Sequence, residues 1–497
     1  MVRKLLAASL LIATPAVAQK GNPLAGLDAY TARAVKEWNV PGLAIAVVKG
    51  DSTLFMKGYG LRELGKPDPV TPNTLFSIGS NTKSFTAAAI GMLVDEGKMR
   101  WDDKVTRWLP GFQLYDPYVT REITMRDVLS HRSGLGRRGD MNWLLAGYSR
   151  AETLRRIRFL PPSQAFRTES GYQNTMFLAA GEAAAAASGM SWDELVTTRI
   201  LRPLGMTHTN TSTKAFANER DVATPHGMRD GVLQPIPWRN IDNVGPAGSI
   251  NSSVAEMRNY LRFINNGGTF EGKQLLKPAT LNVIHTIHTV SPFMPDTLFP
   301  SVHFRGYGLG WGLSDYRGRK VMQHSGGIDG NLSWMLVMPE EKLGIMILTN
   351  GDNHMVGPSL LYYVMDNLLA GSSRDWSALN LKRFQTQSAA ALAREKDRDA
   401  KRNAEEGPSR PLSAYAGTFA DSLWGEIKVS VDGNRLLLDG PGIAGGSMEH
   451  WQYDTFRLTW KDAQFGKEDV IFELDRDGNP TTVRIENQQQ PMIFKKR

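Results

Sequence analysis

Leu27, Tyr30, Ala34, Val35 and Trp38 recur at three- and four-residue intervals, which predicts an amphipathic helix over 24–38, ended by Pro41-Gly42. The unbroken apolar run Leu43–Lys49, the pair Gly50-Asp51 and the segment Thr53–Gly60 predict a β-hairpin. From Phe76 the chain reads as a polar turn entering a helix, with small and apolar residues at helical spacing through Leu93 and a closing Gly97. Further helices are predicted from Thr124 to Gly134, Arg150 to Phe159, Met176 to Ala187 and Trp192 to Ile200. Another begins at Ser253, with Glu256 three residues on in the pattern of a capping box. Strands return late. The run Gly306–Leu313 is expected to be a strand, and Ser333–Met338 and Leu343–Thr349 a pair joined at Pro339-Glu340-Glu341-Lys342, before a helix over 358–369. Strands, then many helices, then strands again predict one antiparallel sheet shared by the two ends, with helices on its faces and a helical insertion between.

Residues 372–411 differ in character. Arg394-Glu395-Lys396-Asp397-Arg398-Asp399 and the closing Gly407-Pro408 predict a solvated helical linker. Beyond it the period becomes two. Glu426–Val431 and Arg435–Leu438 flank Asp432-Gly433-Asn434, and Val470–Leu474 and Thr482–Ile485 flank Asp477-Gly478-Asn479. Short alternating strands with Asp-Gly turns predict a small all-β domain, a sandwich or a barrel.

Composition narrows the setting. A chain of 497 residues exceeds one ordinary core, and 41% hydrophobic with 22% charged residues is normal for a globular protein. Met1-Val2-Arg3-Lys4, the apolar run Leu5–Ala13 and Ala16-Val17-Ala18 read as a secretory signal peptide cleaved after Ala18, which predicts export, most simply to a bacterial periplasm. That apolar run is too short to cross a bilayer, and no later run is long enough, so no membrane span is expected. Cysteine is absent, which removes disulfides, thiolate nucleophiles and thiolate metal sites. The net charge of +8 comes from basic residues interleaved with acids, so no nucleic-acid surface is expected.

The candidate chemistry starts at Ser80 and Lys83, three apart at the head of a predicted helix and so on one face. A serine hydroxyl needs a base, and a lysine serves only when its pKa falls several units through burial and nearby positive charge. A serine at a helix start also turns its own N–H toward a reacting carbonyl. Two further boxes are Tyr172-x-Asn174, where Asn174 also suits a helix N-cap, and His324-Ser325-Gly326. His131 and Ser133 are better read as ties for a helix end and its loop than as catalytic groups. His285 and His288 lack an evident carboxylate partner, so no metal site is expected, and no G-x-S-x-G elbow is present.

Three boxes in this order, S-x-x-K, Y-x-N and a glycine-ending strand tripeptide, resemble the serine β-lactamase and penicillin-binding-protein superfamily. The likeness is to the branch holding class C β-lactamases, D-peptidases and family VIII esterases. Phe76-Ser77-Ile78-Gly79-Ser80, Leu129–Leu135 and Pro203-Leu204-Gly205-Met206 are similar to stretches of that branch. The resemblance covers about residues 24–370, and the tail resembles the lipocalin-like barrel appended to some members. It implies an α/β (α+β) β-lactamase/transpeptidase-like fold with a helical subdomain and a small C-terminal all-β barrel. The chain then divides into a leader (1–18), a hydrolase domain (19–371), a linker (372–411) and a β domain (412–497). It implies Ser80 as nucleophile, Lys83 as proton acceptor and Tyr172 as second acid/base group. Asn174 would bond Lys83 and a substrate amide, and the N–H groups of Ser80 and Gly327 would form the oxyanion hole behind Gly326. No metal or cofactor is called for. Many relatives carry Lys-Thr-Gly in the third box; His324 here is largely neutral near pH 7, which weakens carboxylate recognition and with it β-lactam turnover. The expected substrate is a small peptide or ester, a peptide with a D-residue first, with β-lactam hydrolysis second and a catalytically idle binding or sensing module third. The tail could cap the site, bind cell wall or drive assembly.

Overall fold

Strand β1 (Gly42–Lys49) is buried along almost its whole length, as a central strand with both faces covered must be. It lies between β2 (Ser52–Gly60) and a late strand, so the two ends of the domain meet in one sheet. With β3 (Thr289–Val290), β4 (Arg305–Tyr307), β5 (Gly312–Tyr316), β6 (Arg319–Ile328), β7 (Asn331–Met338) and β8 (Leu343–Thr349), the order is β2-β1-β8-β7-β6-β5-β4-β3, antiparallel throughout. This computed structural model describes residues 22–497 except 137–139, 141, 230, 293–295, 297, 299–300, 353, 404, 443–444 and 487–490, and the expected leader lies outside the described residues.

Alternation divides the apolar run of β1 between two cores. Leu43, Ile45 and Val47 face a layer made by α1 (Leu27–Glu37), while Ala44, Ala46 and Val48 belong to the core of the other face, built by α2 (Thr82–Asp95), α3 (Asn174–Ser188) and α4 (Val254–Asn265), of which α4 packs on β1. The first layer is completed by α5 (Val356–Ala370), whose Tyr363 stacks on Tyr30 of α1 at 3.8 Å. The run 306–313 departs from expectation: it is two strands, β4 and β5, joined by a turn. The Gly308 N–H closes the turn on the Trp311 carbonyl at 2.8 Å and the Gly310 N–H ties it to the Leu129 carbonyl at 3.1 Å; only glycine fits at 310, where a Cβ (φ +75°) would stand 2.6 Å from the Lys83 carbonyl. The capping box expected at Ser253 is also only half made. Ser253 accepts from the Glu256 N–H, but the Glu256 carboxylate accepts instead from the His208 and Thr209 N–H groups at 2.9 and 2.7 Å.

The charged segment after Gly371 is one helix, α6 (Trp376–Ala400), whose first turn is buried through Trp376, Ser377 and Asn380 and whose remainder is largely exposed. Eight antiparallel strands from Gly417–Asp421 to Met492–Lys496 then close into a barrel, sealed where Phe419 and Ala420 pair with Lys496 and Lys495. Phe419, Ile427, Leu438, Phe456, Phe472 and Phe494 are among the inward residues that fill it. The barrel docks on the hydrolase domain by polar contacts: the Tyr148 hydroxyl donates to the Trp424 carbonyl at 3.0 Å, and Arg156 to that of Ser422 at 2.7 Å. Among the described residues, no helix is long and apolar enough to cross a membrane.

Candidate active site

Ser80 sits in a 3₁₀ turn, Gly79–Asn81, that runs directly into α2. The turn is pinned to the sheet. Asn81 Nδ2 donates to Ser333 Oγ at 2.7 Å, and that hydroxyl donates to the Ile78 carbonyl at 2.7 Å. Glycine makes the approach possible: a Cβ on Gly326 would lie 2.0 Å from the Ile78 carbonyl oxygen, and one on Gly79 (φ +51°) 2.8 Å from the Gly327 nitrogen. The backbone of the Ser80 turn and that of β6 therefore meet at van der Waals distance. Ser80 and Gly327 line one cavity of about 230 Å³ with Trp143, Asn174, Ile241 and Arg239.

Lys83, one turn into α2, is fully buried, and its amine meets three acceptors: Ser80 Oγ at 2.9 Å, Asn174 Oδ1 at 2.7 Å and the Ala247 carbonyl at 2.8 Å. Burial lowers its pKa from 10.5 to about 7, with the Asp140 carboxylate pulling the other way. The acceptor set decides what the neutral amine can do. It has two N–H groups, and the carbonyl oxygens of Asn174 and Ala247 can only accept. Both protons go there, and the lone pair is left facing the Ser80 hydroxyl. The Tyr172 hydroxyl approaches Ser80 Oγ from another side at 2.7 Å.

Tyr172 and Asn174 are placed by the extended entry to α3. His131, in the left-handed region at φ +58°, accepts from the Gly171 N–H through its carbonyl at 2.7 Å and from the Gln173 N–H through Nδ1 at 3.1 Å. Its ring lies 4.3 Å from that of Tyr172. His131 is thus a tie, as expected, but the segment it holds is the distant one carrying Tyr172. The cap of α3 differs from expectation. Gln173 occupies the N-cap position without a side-chain cap bond. Asp140 does the capping from a preceding loop: one oxygen accepts from the Asn174 N–H and Nδ2, both at 2.8 Å, and the other from Thr175 N and Oγ1 at 3.0 and 3.1 Å. Because the Asn174 amide nitrogen is held by a carboxylate, its oxygen is the end turned to Lys83. Burial pushes the Asp140 carboxyl up, against the Asn174 and Thr175 backbone N–H groups and Lys83.

The third box is present but carries no positive charge. His324 Nδ1 lies 2.7 Å from the Ser325 carbonyl, which can only accept, so Nδ1 bears the proton. Nε2 then accepts from the Tyr307 hydroxyl at 2.8 Å. Burial, reinforced by Lys83, lowers the His324 pKa to about 3. A neutral imidazole with both nitrogens engaged cannot take the place of a lysine facing a substrate carboxylate.

Ser80, Lys83, Tyr172 and Asn174, expected from three separated motifs, are therefore in one hydrogen-bonded group, with Gly326 and Gly327 against it and His324 at its edge. Asp140, Ala247, Tyr307 and Arg239 were not legible as site residues. The first two act through a loop and a backbone carbonyl, which leave no spacing signal. Among the described residues no cluster of His, Asp and Glu has metal-ligand geometry.

Family models match two parts of the chain: "Beta-lactamase" over residues 27–369, and "Domain of unknown function (DUF3471)" over 401–496. An unguisins hydrolase of Aspergillus campestris is 30% identical over 84% of this chain and 80% of its own. Penicillin-binding protein 4 of Amycolatopsis lactamdurans is 29% identical over 63% of this chain and 82% of its own. The fold is shared with the octameric penicillin-binding protein homologue from Pyrococcus abyssi, with a TM-score of 0.63 at 22% identity over 95% of this chain and all of that one. The expected fold, an antiparallel sheet flanked by helices with a C-terminal barrel, is the one found, and the chain belongs to the β-lactamase family as one of its serine hydrolases.

Proposed function

We propose that this chain cleaves an amide or ester bond in a small peptide or ester through an acyl-enzyme on Ser80, and that a peptide containing a D-residue is its first substrate class. One observation carries the reading: the Lys83 amine lies 2.9 Å from Ser80 Oγ with Asn174 Oδ1 and the Ala247 carbonyl as its other two partners, so in the neutral amine the lone pair faces Ser80 Oγ. Lys83 accepts the serine proton as Oγ bonds to the carbonyl carbon. The oxygen that gains charge is stabilised by the N–H groups of Ser80 and Gly327, each such donor being worth about 10²–10³ in rate. Tyr172 passes a proton to the leaving amine or alcohol, whose bond to the carbonyl carbon breaks. Water, activated by Tyr172 and Lys83, then attacks the ester and releases Ser80. No metal or cofactor is required by this sequence of steps.

The neutral third box supports substrates without a carboxylate at that point, and β-lactam hydrolysis is the second reading. The expected leader would export the enzyme, with the periplasm as its setting. The test is hydrolysis of D-alanyl peptides and p-nitrophenyl esters by the native protein and by Ser80→Ala, with circular dichroism to show that the variant is folded. Turnover by the native protein and a loss of several orders of magnitude in the variant is expected. Equal rates would refute the assignment of Ser80, and ligand binding without turnover in the native protein would favour a binding module.

A further inference from the structure

The cavity beside Ser80 does not end at the hydrolase domain. Arg239 and Asp329, two of its lining residues, also line a second cavity of about 470 Å³, formed between this domain and the barrel. Alone, the first is smaller than ordinary ligand sites, which run from about 300 to 1,000 Å³, and the two together fall within that range. Asp329 follows Gly327 by two residues, so the shared wall stands next to the carbonyl-binding position. Arg239, 15% exposed as a side chain, pairs with Asp329 on one side and with Asp462 of the barrel at 2.6 Å on the other. Its charge is consumed by two carboxylates, which leaves it as a structural brace between the cavities.

The second cavity is equipped to hold something. Among the described residues, Arg229 Nε and Gln464 Nε2 are buried without a hydrogen-bond partner. Both residues line this space, one from each domain. Unpaired buried donors are rare, because each forfeits its bond to water. Lys461, another donor that lines this space, is engaged by Asp439 at 2.8 Å. Beside them Trp238 exposes 42% of its surface, although its ring is fixed by an indole bond to the Ala223 carbonyl at 3.0 Å and by edge contact with Phe216. Turned toward the space they line, the Arg229 guanidinium and the Gln464 amide are donors for carbonyl oxygens next to a rigid apolar face, which suits a peptide backbone and one side chain.

We infer that the cavity between the domains is a distal subsite for the same substrate, holding a peptide segment that continues past the scissile bond, with its carbonyls on Arg229 and Gln464 and an apolar side chain on Trp238. This rests on the reading of the chain as a peptide-cleaving enzyme. It gives the barrel a role in selecting longer peptides over short ones, with the loop Lys461–Gln464 as its contribution.

The test uses the full-length Ser80→Ala protein, in which binding is measured without chemistry. Isothermal titration compares the carboxyl-terminal amide of a dipeptide of two D-alanines with amidated hexapeptides that extend it by an apolar segment at the amino end or at the carboxyl end. One hexapeptide is expected to bind at least tenfold tighter than the dipeptide. That gain is expected to disappear with Arg229→Ala and with the isosteric Gln464→Glu, which sets an acceptor against the carbonyl. No gain with length, or a gain retained in both variants, overturns the subsite. Length-dependent binding that the variants abolish, in a native protein that cleaves none of these peptides, leaves the subsite standing and overturns the proposed reaction instead.

Discussion

Asp140→Asn removes a charge near the base while keeping the shape of the side chain. Two hydrogen bonds, of 2.8 and 2.7 Å, join Asp140 to Lys83 through the Asn174 amide. With the width of that amide, the two charges stand on the order of 6–7 Å apart, worth about 2.5 kcal/mol at an effective dielectric constant near 20. That is equivalent to nearly 2 pKa units. The sign follows from the role of the amine. Lys83 works as a base only when neutral, so activity appears as the pH rises through its pKa, which burial has lowered to about 7. Asp140 is the influence holding that value up, and without it the amine loses its proton at still lower pH. The acid limb of kcat/KM against pH is therefore expected to move down by about one to two units in Asp140→Asn. The maximum is expected to fall as well. The new amide presents N–H groups where Asn174 or Thr175 donate, a mismatch costing about 1–3 kcal/mol, and frees Asn174 to turn. The assay is kcat/KM for a p-nitrophenyl ester from pH 5 to 9, beside the thermal midpoint. An acid limb that stays in place, or moves to higher pH, refutes the electrostatic argument.

Other substitutions probe the remaining parts. His324→Lys supplies the missing cation and is expected to speed labelling by a fluorescent penicillin at least tenfold; an unchanged or slower rate would count against the neutral third box as the barrier. Gly326→Ala drives a Cβ into the Ile78 carbonyl, separates β6 from the Ser80 turn, and is expected to lower kcat/KM by about 10²-fold or more, as for the loss of an oxyanion donor. Activity within twofold of native would show that the close approach is not needed. Tyr172→Phe removes the hydroxyl 2.7 Å from Ser80 and is expected to lower kcat by about 10²–10⁴. Steady-state kinetics on an amide substrate decides it, and a drop below tenfold would reassign the second proton transfer.

What could be read in the sequence was what local spacing dictates. Ser80 and Lys83 are three apart on a helix, Tyr172 and Asn174 alternate along an extended entry to another, and the two-residue period with Asp-Gly turns marks the barrel strands. The choice between sandwich and barrel was not local, since closure depends on Phe419 meeting Lys496 across the whole domain. Asp140 shows the same limit. An isolated acid in a loop gives no period, and only the folded chain puts it under Asn174. Glu256 is the opposite case: the local pattern was correct for a capping box, but two N–H groups from another segment, at His208 and Thr209, compete for its carboxylate and hold it. The run 306–313 is two strands rather than one because of partners far along the chain: the Gly310 N–H bonds to the Leu129 carbonyl, and the turn packs so close to the Lys83 carbonyl that only glycine fits.

The claim at the centre is that Ser80 is acylated during turnover. Rapid-quench intact mass of the protein, mixed with a p-nitrophenyl ester or with a penicillin, reads it directly, with Ser80→Ala alongside. A mass increase equal to the acyl group is expected on the native protein, mapped to the peptide carrying Ser80, that decays as product forms and is absent from the variant. An equal adduct on Ser80→Ala, or steady product formation by the native protein without any adduct under conditions where deacylation is slowed, would contradict it.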